Sequence, residues 1–416
     1  MKQMLLLFGS GGAGLCAAIE AAENGVHVCI LTKEKYCQSN TIMAQGGIQA
    51  ATEEGDSVEL HFEDTMKGGH YKNNPKLVKK LTEEAPTALE WLSKLGITFQ
   101  EEPILAGGAS KKRLHTIGDS TGAAIMKVLS RKVMELEKKK LITIKTYADV
   151  QELIKDDKGN IGGVIFQHNK KYQIMKAKVV ILATGGSGGL RYGNLNTSNC
   201  DGITGDGLAM AYHAGAKLID PAAIQYHPTG GVFPTNFSGK LISEKARSLG
   251  ALLFNKEGEP LISQGNRDDI VKNILSEINK GKGIKNPSNR DGVWLAIPLI
   301  DKINGEGTIQ KKLPGLYKKY KSVGIDITKH AILVYPTVHY QLGGVEIDEK
   351  GMTEIPNLFA VGEISGGIDG ENRLMGNALC TIIVYGRTAG KEAAKIAKSI
   401  PLPKQLSISH LNNFAI

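Results

Sequence analysis

At 416 residues, the chain is long enough for two or three domains and a sizeable core, which excludes a disulfide- or metal-stapled mini-protein. Glycine contributes 50 residues without a G-X-Y period, so tight turns and close backbone approach to a ligand are expected in place of a collagen-like repeat. The 51 lysines and arginines exceed the 42 acids by a net +9; no basic block gathers them, which argues against a nucleic-acid partner and leaves room for an anionic substrate or cofactor.

The first apolar run, Met4 to Phe8, is too short to span a membrane and leads into glycines rather than a cleavage site, so it predicts a buried strand and no membrane insertion. Next come the turn G-S-G-G-A-G (Gly9, Ser10, Gly11, Gly12, Ala13, Gly14), an Ala-rich helix from Leu15 to Asn24, and a second strand from Val26 to Leu31. This βαβ opening carries G-x-G-x-x-G on Gly9, Gly11 and Gly14, whose missing side chains allow the turn, the approach of a pyrophosphate and close helix packing. Where an acid would take ribose hydroxyls, the second strand ends instead in Thr32-Lys33, which weakens a simple NAD reading.

Two further strand-to-glycine junctions follow, at Val179 to Gly189, with Thr184 and Gly185, and at Leu358 to Glu363. Three nucleotide-facing junctions spread along the chain predict one extended cofactor, FAD rather than NAD. The five cysteines, Cys16, Cys29, Cys37, Cys200 and Cys380, are odd in number and never three apart. No C-x-x-C metal, haem or iron–sulfur spacing exists, and a cytoplasmic chain without a metal site is expected. The stretch from about His227 to Thr337 lacks glycine junctions and predicts an inserted domain. The expected division is 1–226 and 338–400 for the two parts of an α/β cofactor domain, 227–337 for the insertion and 401–416 for a tail.

The ordered segments S-N-T-I-M-A-Q-G-G-I (Ser39 to Ile48), H-T-I-G-D-S-T-G (His115 to Gly122), T-G-D-G (Thr204 to Gly207), Q-Y-H-P-T-G (Gln225 to Gly230), H-Y-Q-L-G-G (His339 to Gly344) and E-N-R-L-M-G-N-A-L (Glu371 to Leu379) resemble the fumarate reductase and succinate dehydrogenase flavoprotein family nearly end to end. The resemblance implies a glutathione-reductase-type, Rossmann-like FAD domain interrupted by an α+β capping domain that closes over a dicarboxylate. Family members that oxidise succinate usually link FAD to a histidine in the first segment; here Asn40 stands there, so noncovalent FAD is expected. About sixteen residues follow the final helix, a layout similar to the flavin half of soluble flavocytochrome-type fumarate reductases.

Expected cofactor contacts comprise the first glycine turn, Thr32, Lys33, Ser39, Asn40, Thr41, Ala44, Gln45, Gly46, Gly47, Val150, Thr184 and Gly185. Asp206 and Glu363, each flanked by glycine, are candidates for ribose and ribityl hydroxyls, and Asn377, Ala378 and Leu379 open a helix whose free N–H groups favour an anionic reduced flavin. A dicarboxylate needs donors at both ends, and His227, Ser243, His339 and Arg373 form a suitable set. By resemblance Arg267 donates the proton, resupplied through Glu244 and Arg247; the i, i+3 spacing of the last two permits pairing on a helix.

L-aspartate oxidase is the nearest rival, but its family places an acid for the amino group where this chain reads L-A-G-G-A-S-K (Leu105 to Lys111). A reductase of another 2-enoate, an FAD-binding scaffold and a flavin-containing nucleic-acid-modifying protein are further alternatives. With no metal relay in the chain, electrons are expected from an iron–sulfur or reductase partner, or from a reduced flavin.

Overall fold

The computed structural model describes residues 4–100, 102–190, 195–286 and 290–414. A five-stranded parallel sheet lies at its centre, in the order Leu358–Ala360, Val179–Leu182, Met4–Phe8, His27–Thr32, Ile142–Thr146. Leu5 stands opposite Val179 on one side and Val28 on the other. Covered on both faces, these strands are continuous apolar runs rather than alternating ones, as a buried parallel sheet requires. The three strands expected to lead into glycine turns are therefore next to one another, and their C-terminal ends meet at one edge.

The first turn works as the spacing predicts. Gly9 has φ +105°, and a Cβ there would come within 2.2 Å of the Ala183 carbonyl oxygen, so the first and second glycine junctions press backbone to backbone. The helix begins earlier than the expected Leu15, at Gly12, and ends at Glu23. Against it packs the long helix Asn377–Ser399. An antiparallel layer of Ala148–Lys155, Ile161–His168 and Lys171–Lys176 contributes Leu153, Val164 and Phe166 to the same core.

A second core is built from Phe237, Ile242, Leu253, Leu295, Ile300, Leu316 and Val334, among others. Its antiparallel sheet runs in the order Ile224–Gly231, Ile332–Gln341, Val293–Ala296, Leu252–Phe254. The first two strands join the cores, because both begin or end beside the parallel-sheet unit. They also carry the two histidines of interest. His227 pairs with Thr337, and Gln225 with Tyr340, so the antiparallel register sets His227 and His339 on neighbouring strands.

Candidate active site

A cavity of about 910 Å³ runs along the glycine junctions and up to the second core. That is at the upper end for a ligand site. Every expected cofactor contact lines it except Gly14 and Asn377. Gly14 lies against the Gly9 carbonyl, where a Cβ would come within 2.2 Å, so its role is packing. The Asn377 side chain turns inward, its Oδ1 3.0 Å from His61 Nε2 and its Nδ2 donating to Thr65 Oγ1 at 3.0 Å. Its neighbours Gly376, Ala378 and Leu379 face the cavity instead.

An acid from elsewhere in the chain stands beside the end of the second strand. Lys33 donates to Thr204 Oγ1 at 2.6 Å and pairs with Asp206, so the carboxylate arrives from a distant T-G-D-G turn and Lys33 holds it. At the next bend Thr41 Oγ1 accepts from the Gly12 N–H at 3.2 Å. Asn40 donates to Asn199 Oδ1 at 2.5 Å and to Glu363 Oε2 at 3.4 Å, and accepts from the Cys200 N–H at 2.9 Å. Burial pushes the Glu363 carboxyl above its ordinary range, opposed by N–H donors from Gln341 and Asn40. The glycine turn, the helix N-terminus aimed at the cavity and the flanking carboxylates fit a dinucleotide with a ribityl chain.

At the other end of the cavity stand His227, Ser243, Glu244, Arg267, His339 and Arg373. The Thr229 N–H donates to His227 Nδ1 at 3.2 Å; a neutral ring then carries its proton on Nε2, 3.9 Å from Glu244. His339 Nδ1 shares a 2.8 Å hydrogen bond with the Ser198 hydroxyl, and the two imidazoles meet edge-on with centroids 5.2 Å apart. Both are held well below the ordinary histidine range, by burial first and then by nearby arginines. The positive charge at the site therefore belongs to the guanidiniums, and the two imidazoles are neutral.

Arg267, at the start of the helix Arg267–Glu277, donates through Nε to Glu244 Oε2 and through Nη1 to Gln225 Oε1, both at 2.8 Å. Its Nη2 makes no hydrogen bond among the described residues. Arg247 Nη2 reaches Glu244 at 3.7 Å from behind and does not line the cavity. Burial alone would raise the Glu244 carboxyl; Arg267 and Arg247 outweigh it and hold it below its usual range. Arg373 is different, since no acid lies within ion-pair distance among the described residues. Its guanidinium stacks 4.2 Å from the Tyr340 ring centre, and its Nε is buried without a partner.

Four neighbours stand outside the expected set. Gln225 ties Arg267 to the Arg373 loop, donating to Asn372 Oδ1 at 2.8 Å and the Arg373 carbonyl at 2.9 Å. Asp369, pushed up to about 6 by burial, is opposed by the Arg373 charge and by Tyr340. Gly107 comes so close to Glu244 that a Cβ would sit 2.4 Å from Oε1. Gln225 and Tyr340 lie inside recognised segments, but only the fold reveals what they touch.

Residues 5–379 match the FAD binding domain family, so the fold and its cavity define an FAD-binding flavoprotein. The chain is 39% identical over 415 residues to one of the subunits of the CoM/CoB fumarate reductase of Methanothermobacter marburgensis, covering 95% of this chain and 73% of the relative. It is 34% identical over 397 residues to an L-aspartate oxidase of Clostridium acetobutylicum, covering 93% and 87%. The solved Escherichia coli quinol fumarate reductase superposes with a TM-score of 0.88 at 30% identity, covering 100% of this chain and 73% of that one. The chain belongs to the fumarate reductase and succinate dehydrogenase flavoprotein family, and its cofactor is FAD.

Proposed function

We propose that the protein reduces the C=C bond of fumarate to succinate with noncovalently held FAD. The observation that carries this reading is Arg373, a buried guanidinium that lines the cavity without an acid partner. An unpaired buried charge is costly, and a ligand carboxylate compensates it with a forked hydrogen bond. The chemistry FAD supplies when bound is hydride transfer to one alkene carbon. Arg373, Ser243, the neutral Nε2–H of His227 and the neutral imidazole of His339 hold the carboxylates, and the developing charge is stabilised where these groups point.

Arg267 then gives a proton to the other alkene carbon from Nη2, the nitrogen its protein contacts leave over. Guanidinium is a poor acid, with a pKa above ~12. Removing its proton is eased by the crowding of positive charge at Arg267, Arg247 and Arg373, and Glu244 is placed to return one from the Arg247 side. The electron donor is a separate one, an iron–sulfur or reductase partner or a reduced flavin. The Methanothermobacter relative is named as one part of a larger enzyme, which supports a partner protein. The five free cysteines support a cytoplasmic setting, and among the described residues no helix is long and apolar enough to cross a membrane.

The test is anaerobic reduction of the holoprotein followed by mixing with fumarate, iminosuccinate, urocanate or acrylates, with flavin reoxidation as the signal. Fumarate should reoxidise it fastest. Preference for a monocarboxylate, or rapid flavin reduction by L-aspartate, would overturn the assignment. Arg267→Gln should lower kcat by ~10²–10⁴-fold while bound FAD and fumarate affinity survive. Arg373→Gln should weaken fumarate binding and rate together, because a clamp acts in both ground and transition states. Steady-state kinetics with a reduced dye, paired with titration of a dicarboxylate inhibitor, separate the two.

A further inference from the structure

The net charge is unevenly placed. Residues 227–337 hold 17 lysines and arginines against 10 acids, so seven of the chain's nine net positive charges fall in the unit that covers the cavity. Several cationic side chains there have acid partners: Lys272 pairs with Asp268, Lys280 with Glu277, Lys282 with Glu257 and Glu259, and Lys321 with Asp326. Lys240 and Lys319 do not. Among the described residues neither ammonium has an acid within ion-pair distance or a hydrogen-bond acceptor, yet both side chains line the cavity.

The two converge on one aromatic ring. Lys319, half-buried on the helix Pro314–Lys321, places Nζ 4.7 Å from the centre of Phe237, and Lys240 places its Nζ 5.7 Å from the same centre. Phe237 is buried and held edge-on by Tyr320, with centroids 5.0 Å apart. Burial first, and then the charge of Lys240, push the Lys319 ammonium down to about 8. Two unpaired cations facing one cavity repel each other, and an anion between them removes that cost.

Their position relative to the inner site follows from the backbone. Lys240 is exposed, whereas Ser243 and Glu244, three and four residues on, are 3% and 4% exposed. The cavity wall thus passes from solvent to interior within at most ~10 Å of chain. This segment is pinned, since Gly231 N donates to the Lys240 carbonyl at 2.9 Å and Ile242 N to the Thr229 carbonyl at 3.0 Å.

We propose that Lys240 and Lys319 form an outer carboxylate station, which captures one end of a dicarboxylate dianion and concentrates it at the approach to His227, His339 and Arg373. This inference rests on the function proposed above for the choice of ligand. A cleft lined by one sign of charge raises the local concentration of an oppositely charged ligand, and salt screens the effect within a Debye length of ~10 Å at 0.1 M. The station should therefore act on capture and leave the chemical step alone.

The experiment compares the wild-type holoenzyme with Lys240→Gln/Lys319→Gln in fumarate reduction by a saturating reduced dye, from about 0.01 M to about 0.5 M salt. At low salt KM should rise about tenfold with kcat within about twofold, and the salt dependence of kcat/KM should flatten. Lys240→Arg/Lys319→Arg should restore the wild-type behaviour. Equal KM and equal salt dependence in wild type and the glutamine variant would overturn the station. If the wild type turns over no dicarboxylate, the functional reading has failed, and the station is decided by titrating malonate against the visible absorbance of bound FAD. Weaker malonate binding by the glutamine variant at low salt sustains it, and identical binding removes it.

Discussion

By its resemblance to the family, Asn40 occupies the position at which members that oxidise succinate usually carry the histidine bonded to FAD. Its amide cannot form that bond, and hydrogen bonds to Asn199, Glu363 and Cys200 already employ both ends of it. Acid precipitation of the holoprotein should leave all flavin in the supernatant, read by its visible absorbance. Gly107 sets a second single-residue condition. Its φ lies outside the left-handed region, so alanine brings no backbone strain there, but the added Cβ would sit 2.4 Å from Glu244 Oε1 and 3.1 Å from the Gly265 carbonyl oxygen. Glu244 must then give way, and it is held by Arg267. Gly107→Ala should keep FAD content and lower kcat about tenfold or more, with KM for fumarate little changed, in the same dye-driven assay.

Elements place these residues. The loop that presents Gly107 is anchored through Ser110, whose N–H donates to Asp64 Oδ2 at 2.8 Å. Asp64, on the helix Val58–Gly68, also accepts from Arg113 Nη1 at 2.5 Å, while Asp56 takes the other side of that fully buried guanidinium at 2.8 and 2.9 Å. The same helix carries His61, which holds Asn377 at the start of the long C-terminal helix. One short helix thus positions both the loop against Glu244 and the helix N-terminus beside the cavity.

His61 also confers a pH dependence on this element. Burial first, with the charge of Arg113, lowers it from 6.5 to about 4, against the hydrogen bond to Asn377 and the nearby Asp56 and Asp64. The unfolded chain binds a proton there below about 6.5 that the folded chain refuses until about 4. Stability is therefore lost as pH falls through that window, by up to ~3 kcal/mol. His61→Gln should flatten the fall of the thermal midpoint between pH 6.5 and 4, read by circular dichroism.

At the scale of the whole molecule, two cores share one cavity. The strands Ile224–Gly231 and Ile332–Gln341 join them, and each carries one histidine of the site. Because the pair is antiparallel, His227 and His339, more than a hundred residues apart in sequence, become neighbours. The uneven charge belongs to this scale as well: basic residues are scattered along the chain, but seven of its nine net positive charges fall within residues 227–337.

By itself the sequence determined four of the five strands of the parallel sheet and its glycine turns, because apolar runs and φ-permissive residues act over a few neighbouring positions; the edge strand Ile142–Thr146 is short and polar-interrupted and carried no such signal. It also marked most of the cavity lining, because rare polar residues recur there in fixed order beside glycine or proline. Tertiary structure alone decided that Asp206 arrives beside Lys33, that Asn377 turns inward to His61, and that Arg373 stays unpaired. The same holds for the neutral state of the histidines and the lone pair of lysines at the approach. Each depends on which charge or donor sits within a few ångströms in a medium of low dielectric, and such neighbours come from segments that the chain brings together only on folding.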